Sequence, residues 1–155
     1  MNEDMKEVKI TLEFKGGVTK QNYDKAPAEN GIYAAFACIK KGNDFLPRSV
    51  VYIGKAEGKD TIKKRISDHV NDRDEPDSGK QSYWEENYLL DGEVVAYTWA
   101  EYEDDLHDIE ALLIYKNKPD ANIDGKENYL ADADVVDVTC SGKKGKLQKI
   151  NYKKK

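Results

Sequence analysis

The chain has 155 residues, 39% of them apolar and 35% charged, with a net charge of −5; this suits one folded domain and excludes a disordered polyelectrolyte. The acidic balance also excludes a protein that coats nucleic acid non-specifically, because such binding draws on many Lys and Arg contacts to phosphate. No apolar run approaches the length of a bilayer span, and the opening MNEDMKEVKI lacks the basic start and apolar stretch of a signal peptide, so a cytoplasmic protein without membrane contact is expected.

In EVKITLEF, Val8, Ile10, Leu12 and Phe14 alternate with polar residues, the period of a half-buried strand, and Gly16-Gly17 is read as its end. GIYAAFACI and SVVYIG are apolar on both alternating faces and read as inner strands paired in a hairpin, with KKGNDFLPR as an extended loop between them. TIKKRISDHV then turns helical, with Ile62, Ile66 and Val70 spaced by four and Asp60 available as a cap. After the acidic loop NDRDEPDSGK, Ser82 and Glu85 have the spacing of a capping box opening SYWEENYLL, and Asp91-Gly92 is its stop. EVVAYTWAEY is a further inner strand. LHDIEALLIYKN is a helix capped by Asp104 or Asp105 and closed by Lys118-Pro119, and VVDVTC and KLQKINY form a C-terminal hairpin around SGKKG.

The order β, β, β, α, α, β, α, β, β predicts an α/β domain of the α+β kind, with a mainly antiparallel sheet and flanking helices. One domain over residues 1–155 is expected, with an N-terminal strand at 7–14 and a C-terminal hairpin and basic tail at 134–155. Cys38 and Cys140 form no CxxC pair and there is no clustered His, so both read as free thiols, with neither disulfide framework nor structural zinc implied. Positive charge collects at Lys55, Lys59, Lys63, Lys64 and Arg65 and in the tail, leaving one face able to meet phosphates.

Three polar residues fall where apolar ones are expected. Arg65 and His69 lie one turn apart within the arc of Ile62, Ile66 and Val70, and Glu110 shares the arc of Leu106, Ile109 and Leu113. Arg65 and His69 each read equally as ordinary packing residues, and a structural ion pair between Glu110 and Arg65 is the plain alternative. A buried carboxylate still calls for a cation, a metal or several donors. Tyr33 and Tyr52 read singly as strand aromatics among the 10 tyrosines, and His107, near a helix start among acids, receives no role.

Together these residues resemble a known set. GIY at 31–33, YIG at 52–54, a helix with Arg65 and His69, and EALLIYKNKPDAN with Glu110, Leu113-Ile114, Pro119 and Asn122 resemble the GIY-YIG nuclease family over residues 30–122. The resemblance implies a small three-stranded antiparallel sheet flanked by helices and bearing a phosphodiester-cleaving site. It implies Tyr33 and Tyr52 as paired site tyrosines, Arg65 as the cation at the phosphate, His69 beside them, and Glu110 as ligand of one Mg²⁺ or Mn²⁺ ion. Lys55 and Asn122 match substrate-proximal positions, with Lys63 and Lys64 adding positive charge.

The chemistry suits these types: a carboxylate-held ion keeps waters and takes phosphate oxygens, and an Arg fork meets phosphate in a plane. Tyr33 is expected to activate water, its pKa lowered by Lys55, Arg65 and the ion and its proton relayed by His69, with Tyr52 positioning the phosphate. DNA is the expected partner. RNA is weaker, since no aromatic stacking platform is evident, and a protein partner or a second copy is compatible with the acidic surface. The long gap between the tyrosines departs from the family, and no appended zinc finger or helix-turn-helix is recognisable. The alternative is a catalytically inactive binding or regulatory module of the same fold.

Overall fold

The computed structural model describes residues 6–42, 44–73, 76–147 and, for the backbone, 150–153; Asn43, Asp74, Glu75 and the end of the basic tail lie outside them. Strands β1 (Glu7–Val18), β2 (Gly31–Lys41), β3 (Asp44–Ala56), β4 (Glu93–Glu101), β5 (Val135–Gly142) and β6 (Ile150–Lys153) form one mixed sheet in the order β3-β2-β4-β1-β5-β6. Helices α1 (Ile62–Val70), α2 (Gln81–Asn87) and α3 (Leu106–Asn117) flank it, giving an α+β fold.

The antiparallel trio β3-β2-β4 is continued by β1, and β5 adds parallel to β1 before the antiparallel hairpin to β6. The expected three-stranded antiparallel part is present, and the N-terminal strand and C-terminal hairpin join it in one sheet of six strands. One cause is at Gly16-Gly17, which does not end β1. Both glycines take positive φ (107° and 99°), and the register shifts between Gly16 and Val18, so the chain bulges and continues along β4. A Cβ on Gly16 would lie 2.5 Å from the Trp99 ring, so the bulge needs glycine there.

The gap between the tyrosines is not a loop. β2 and β3 stay paired out to Lys41 and Asp44, with shifts between Ala35 and Phe36 and between Ala37 and Cys38, so the extra residues lengthen the hairpin arm. β3 is also an edge strand, not an inner one. A continuous apolar run reports that both faces of a strand are covered, and says nothing about its hydrogen-bonding neighbours.

Each sheet face buries its own cluster. Ile32, Ala34, Phe36, Ile53, Leu106, Ile109, Leu113 and Val138 pack on the α3 side; Tyr33, Ala35, Val51, Ile62, Ile66, Trp84 and Tyr97 pack on the α1 and α2 side. α3 is buried nearly all round, because the chain from Ala131 to Val138 and Leu147 covers it as well.

Helix starts differ from expectation in detail. Thr61, not Asp60, caps α1 by accepting the Lys64 amide, while Asp60 pairs with Lys64 Nζ at 3.4 Å. Ser82 lies inside α2 and donates its amide to Asp72 Oδ1 at 3.2 Å, so no capping box forms. Asp105 is the α3 cap position but makes no capping bond; its carboxylate sits 3.4 Å from Lys6 Nζ. No described helix is long and apolar enough to cross a membrane.

Candidate functional site

Tyr33 stands opposite Gly54, and Tyr52 opposite Ala35, so both tyrosines point to the face that packs α1 and α2. The glycines beside them have steric work. A Cβ on Gly54 would lie 2.4 Å from the Tyr33 ring, and one on Gly31 would lie 2.1 Å from the Ala100 carbonyl oxygen. The two tripeptides thus encode a close approach of strands and ring as well as two phenols.

Beneath the hairpin the aromatic rings gather around His69, which is fully buried. Tyr52 meets His69 edge-on at 4.8 Å, Trp84 lies 5.1 Å from His69, and the Tyr33 and Tyr52 rings are 6.2 Å apart. His69 Nδ1 is 2.5 Å from the Gly79 carbonyl oxygen, which can only accept, so Nδ1 carries the proton. Nε2 is then the acceptor, and the Tyr33 hydroxyl donates to it at 2.7 Å. Trp84 Nε1 donates to the neighbouring Ser78 carbonyl at 2.5 Å, tying the same turn to α2.

Tyr33 itself is fully buried. Burial pushes its pKa well above 10; Tyr52 adds to the rise, and the charge and hydrogen bonding of Arg65 oppose it without overcoming it. Without a bound ion, desolvation of the phenolate outweighs Arg65, and the lowering expected from Lys55, Arg65 and an ion is not met by these side chains alone. Tyr52 is only half-buried and lines an open cleft.

Lys55, Arg65 and Glu110 line one cavity of about 250 Å³ with Glu57 and Asp60. Arg65 comes from α1 on one sheet face, Glu110 from α3 on the other, and Lys55 from the edge strand between them. The cavity wraps the free edge of β3. An edge strand makes this meeting possible, since its outer amides need partners. Glu110 accepts the Lys55 amide; Asn122 takes the Ile53 amide and donates to the Ile53 carbonyl, both at 2.9 Å; Ala121 donates its amide to Val51 at 2.7 Å.

Asn122 is thus a clamp on the β3 backbone between Tyr52 and Gly54. Lys55 Nζ pairs with Glu57 at 3.2 Å. Lys63 and Lys64 are exposed, and Lys64 is held by Asp68 at 3.0 Å and by Asp60. Burial raises the Glu110 pKa against the opposing charges of Lys55 and Arg65, so an ionised Glu110 lacks full compensation.

A second cleft, of about 260 Å³, meets the first at Glu110 and runs between α3 and the segment 121–130, with Tyr52 and Gly79 on its wall. Near it, His107, Asp108 and Asp132 bring a ring nitrogen and two carboxylates within 4.8 Å of one another, a group capable of holding a divalent cation. Asp108 is buried and the other two are exposed. Sequence reading gave His107 no role. Its adjacency to Asp108 was the only local signal, and Asp132 joins from 24 residues beyond Asp108 through chain return.

The Asp108 oxygens already have partners: Oδ1 accepts the amides of Asp132 at 2.6 Å and Ala133 at 3.2 Å, and Oδ2 accepts Lys6 Nζ at 2.9 Å. His107 Nε2 donates to the Leu130 carbonyl at 2.9 Å. The chain matches no family model, no curated protein and no solved structure.

Proposed function

We propose that this chain is a metal-dependent endonuclease that hydrolyses phosphodiester bonds in DNA, in the manner of the GIY-YIG nucleases. What carries the reading is the meeting of Lys55, Arg65 and Glu110, drawn from three elements, on one cavity at the β3 edge. Arg65 offers a planar fork and Lys55 a point charge to the non-bridging oxygens of a phosphate.

The donor set fits a hard cation: Glu110 supplies an incompletely compensated carboxylate, with Glu57 and Asp60 on the same wall. One Mg²⁺ or Mn²⁺ ion is assigned to Glu110 and not to the His107, Asp108 and Asp132 group, because the Asp108 carboxylate already accepts two amides and the Lys6 ammonium. When bound, such an ion draws charge from the phosphate and favours loss of a proton from water. Tyr52 borders the cleft that adjoins at Glu110, and on this reading its hydroxyl holds or passes the proton of the attacking water. Tyr33 and His69 lie behind it as positioning residues, with the Gly79 carbonyl fixing the imidazole tautomer.

A second reading, an inactive binding or regulatory module, draws on the acid excess of the cavity: Glu57, Asp60 and Glu110 against Lys55 and Arg65. The test is cleavage of plasmid and branched oligonucleotides with Mg²⁺ or Mn²⁺. The nuclease reading expects cleavage by wild type and a loss of about a hundredfold or more in Glu110→Ala and in Arg65→Ala. Cleavage that survives both substitutions overturns it; no cleavage with either metal favours the module.

A further inference from the structure

The two cavities that meet at Glu110 differ in the cations they hold, and on the nuclease reading that difference bears on the substrate. The cavity at the β3 edge holds two cations, Lys55 and Arg65, beside Glu57, Asp60 and Glu110. Among the described residues the cleft across Glu110 is lined by no Lys or Arg; its carboxylates are Glu110 and Asp124, its imidazole is His107, and Ile114, Ile123 and Leu130 supply much of the remaining wall. With a divalent ion on Glu110, as proposed above, the first can take a phosphate; the second offers it two carboxylates and, among the described residues, no Lys or Arg.

The cleft suits a group that is apolar on its faces and donates hydrogen bonds at its edge. Its volume of about 260 Å³ lies just under the roughly 300 Å³ at the small end of ligand clefts, which is room for one ring system. The wall is held in place, since His107 ties the Leu130 carbonyl to α3. Two large aliphatic side chains nevertheless stand in solvent at its rim, Ile123 at 65% and Leu130 at 47% exposed. A nucleobase with an exocyclic amine has the required faces and donors. Thymine lacks the amine.

We infer that the substrate places an unpaired, amine-bearing base in this cleft while the adjoining phosphate occupies the Lys55 and Arg65 cavity. In intact duplex that base is stacked and paired, and extracting it costs least where it is already unpaired. Flaps, bulges and single-strand junctions are therefore cut in preference to continuous duplex, with adenine, cytosine or guanine at the unpaired position favoured over thymine.

The experiment uses one labelled duplex in three forms: fully paired, with a single unpaired cytosine, and with a single unpaired thymine. In parallel, 2-aminopurine is placed at the paired or unpaired position and its fluorescence is followed on binding without divalent metal. Expected are cleavage at least about tenfold faster with unpaired cytosine than in the paired form, thymine between them, and a fluorescence change confined to unpaired 2-aminopurine. Ala111→Phe, which fills the cleft from α3, removes the preference; Asp124→Ala, at an exposed position, removes the cytosine-over-thymine difference and guards against misfolding of the first variant. Equal cleavage of all forms, or equal fluorescence changes at paired and unpaired positions, overturns the inference. Absence of cleavage with a fluorescence change confined to the unpaired base overturns the nuclease reading and keeps the base site. Absence of any binding removes both.

Discussion

Asp108 and Glu110 stand two residues apart on α3, both withdrawn from open water, and their surroundings push them in opposite directions. Burial alone would raise Asp108, but Lys6 and the amides of Asp132 and Ala133 outweigh it and hold the carboxyl below its ordinary value. At Glu110 burial prevails over Lys55 and Arg65, and the pKa rises. A carboxylate surrounded by fixed donors serves the fold. One that burial leaves undercompensated, on the wall of a cavity, is where a cation is wanted.

The largest effect that tests this contrast is on catalysis. Glu110→Ala should lower metal-dependent cleavage by about a hundredfold or more while leaving the chain folded by circular dichroism. Asp108→Ala should act on stability instead, costing about 2–3 kcal/mol in urea unfolding, because the Asp132 and Ala133 amides lose their acceptor. The Lys6 ion pair adds little to that figure, since Lys6 is half exposed.

The pH dependence should separate the two further. Asp108, depressed in the fold, contributes stability that is fully present above its unfolded value of about 3.9 and is lost as pH falls through the lower folded value. Asp108→Asn should flatten that acid limb in urea midpoints measured between pH 2 and 7. Glu110 has the reverse sign: its contribution is complete below about pH 4.3 and fades as pH rises through the raised folded value. The smallest effect follows. Without divalent metal at pH 7, Glu110→Gln should raise Tm by about 1–3 °C, and an unchanged or lower Tm would count against an undercompensated carboxylate.

Much of the fold was legible along the chain, because strand alternation and helix spacing are local signals. The two tyrosine-bearing strands, the helices around Ile62–Val70 and Leu106–Asn117, and the C-terminal hairpin all appear near their expected places. The errors were of three kinds. The KKGNDFLPR gap holds strand because pairing with β2 overrides its turn-like composition. Ser82 and Glu85 have a capping-box spacing but lie past the start of α2. SVVYIG reads as an inner strand, yet among the described residues no strand lies on the outer side of β3.

The candidate site divides in the same way. Lys55, Arg65 and Glu110 were singled out as polar residues in unusual places and do line one cavity. Asn122, expected near the substrate, clamps Ile53 and also lines the cleft beside Glu110, and Tyr33 is buried while Tyr52 borders that cleft. The Asp108 knot was invisible because its partners Lys6, Asp132 and Ala133 come from remote stretches.

The amino-acid sequence by itself determined which side chains were available and which arcs and faces they occupy, because periods of two and 3.6 residues are properties of a single element. Only the tertiary structure decided that an edge strand lies between Arg65 and Glu110, that Tyr52 and not Tyr33 borders the open cleft, and that two carboxylates on one helix are shifted in opposite directions. Those outcomes depend on desolvation and on which distant donors arrive, and both are set by how the elements pack.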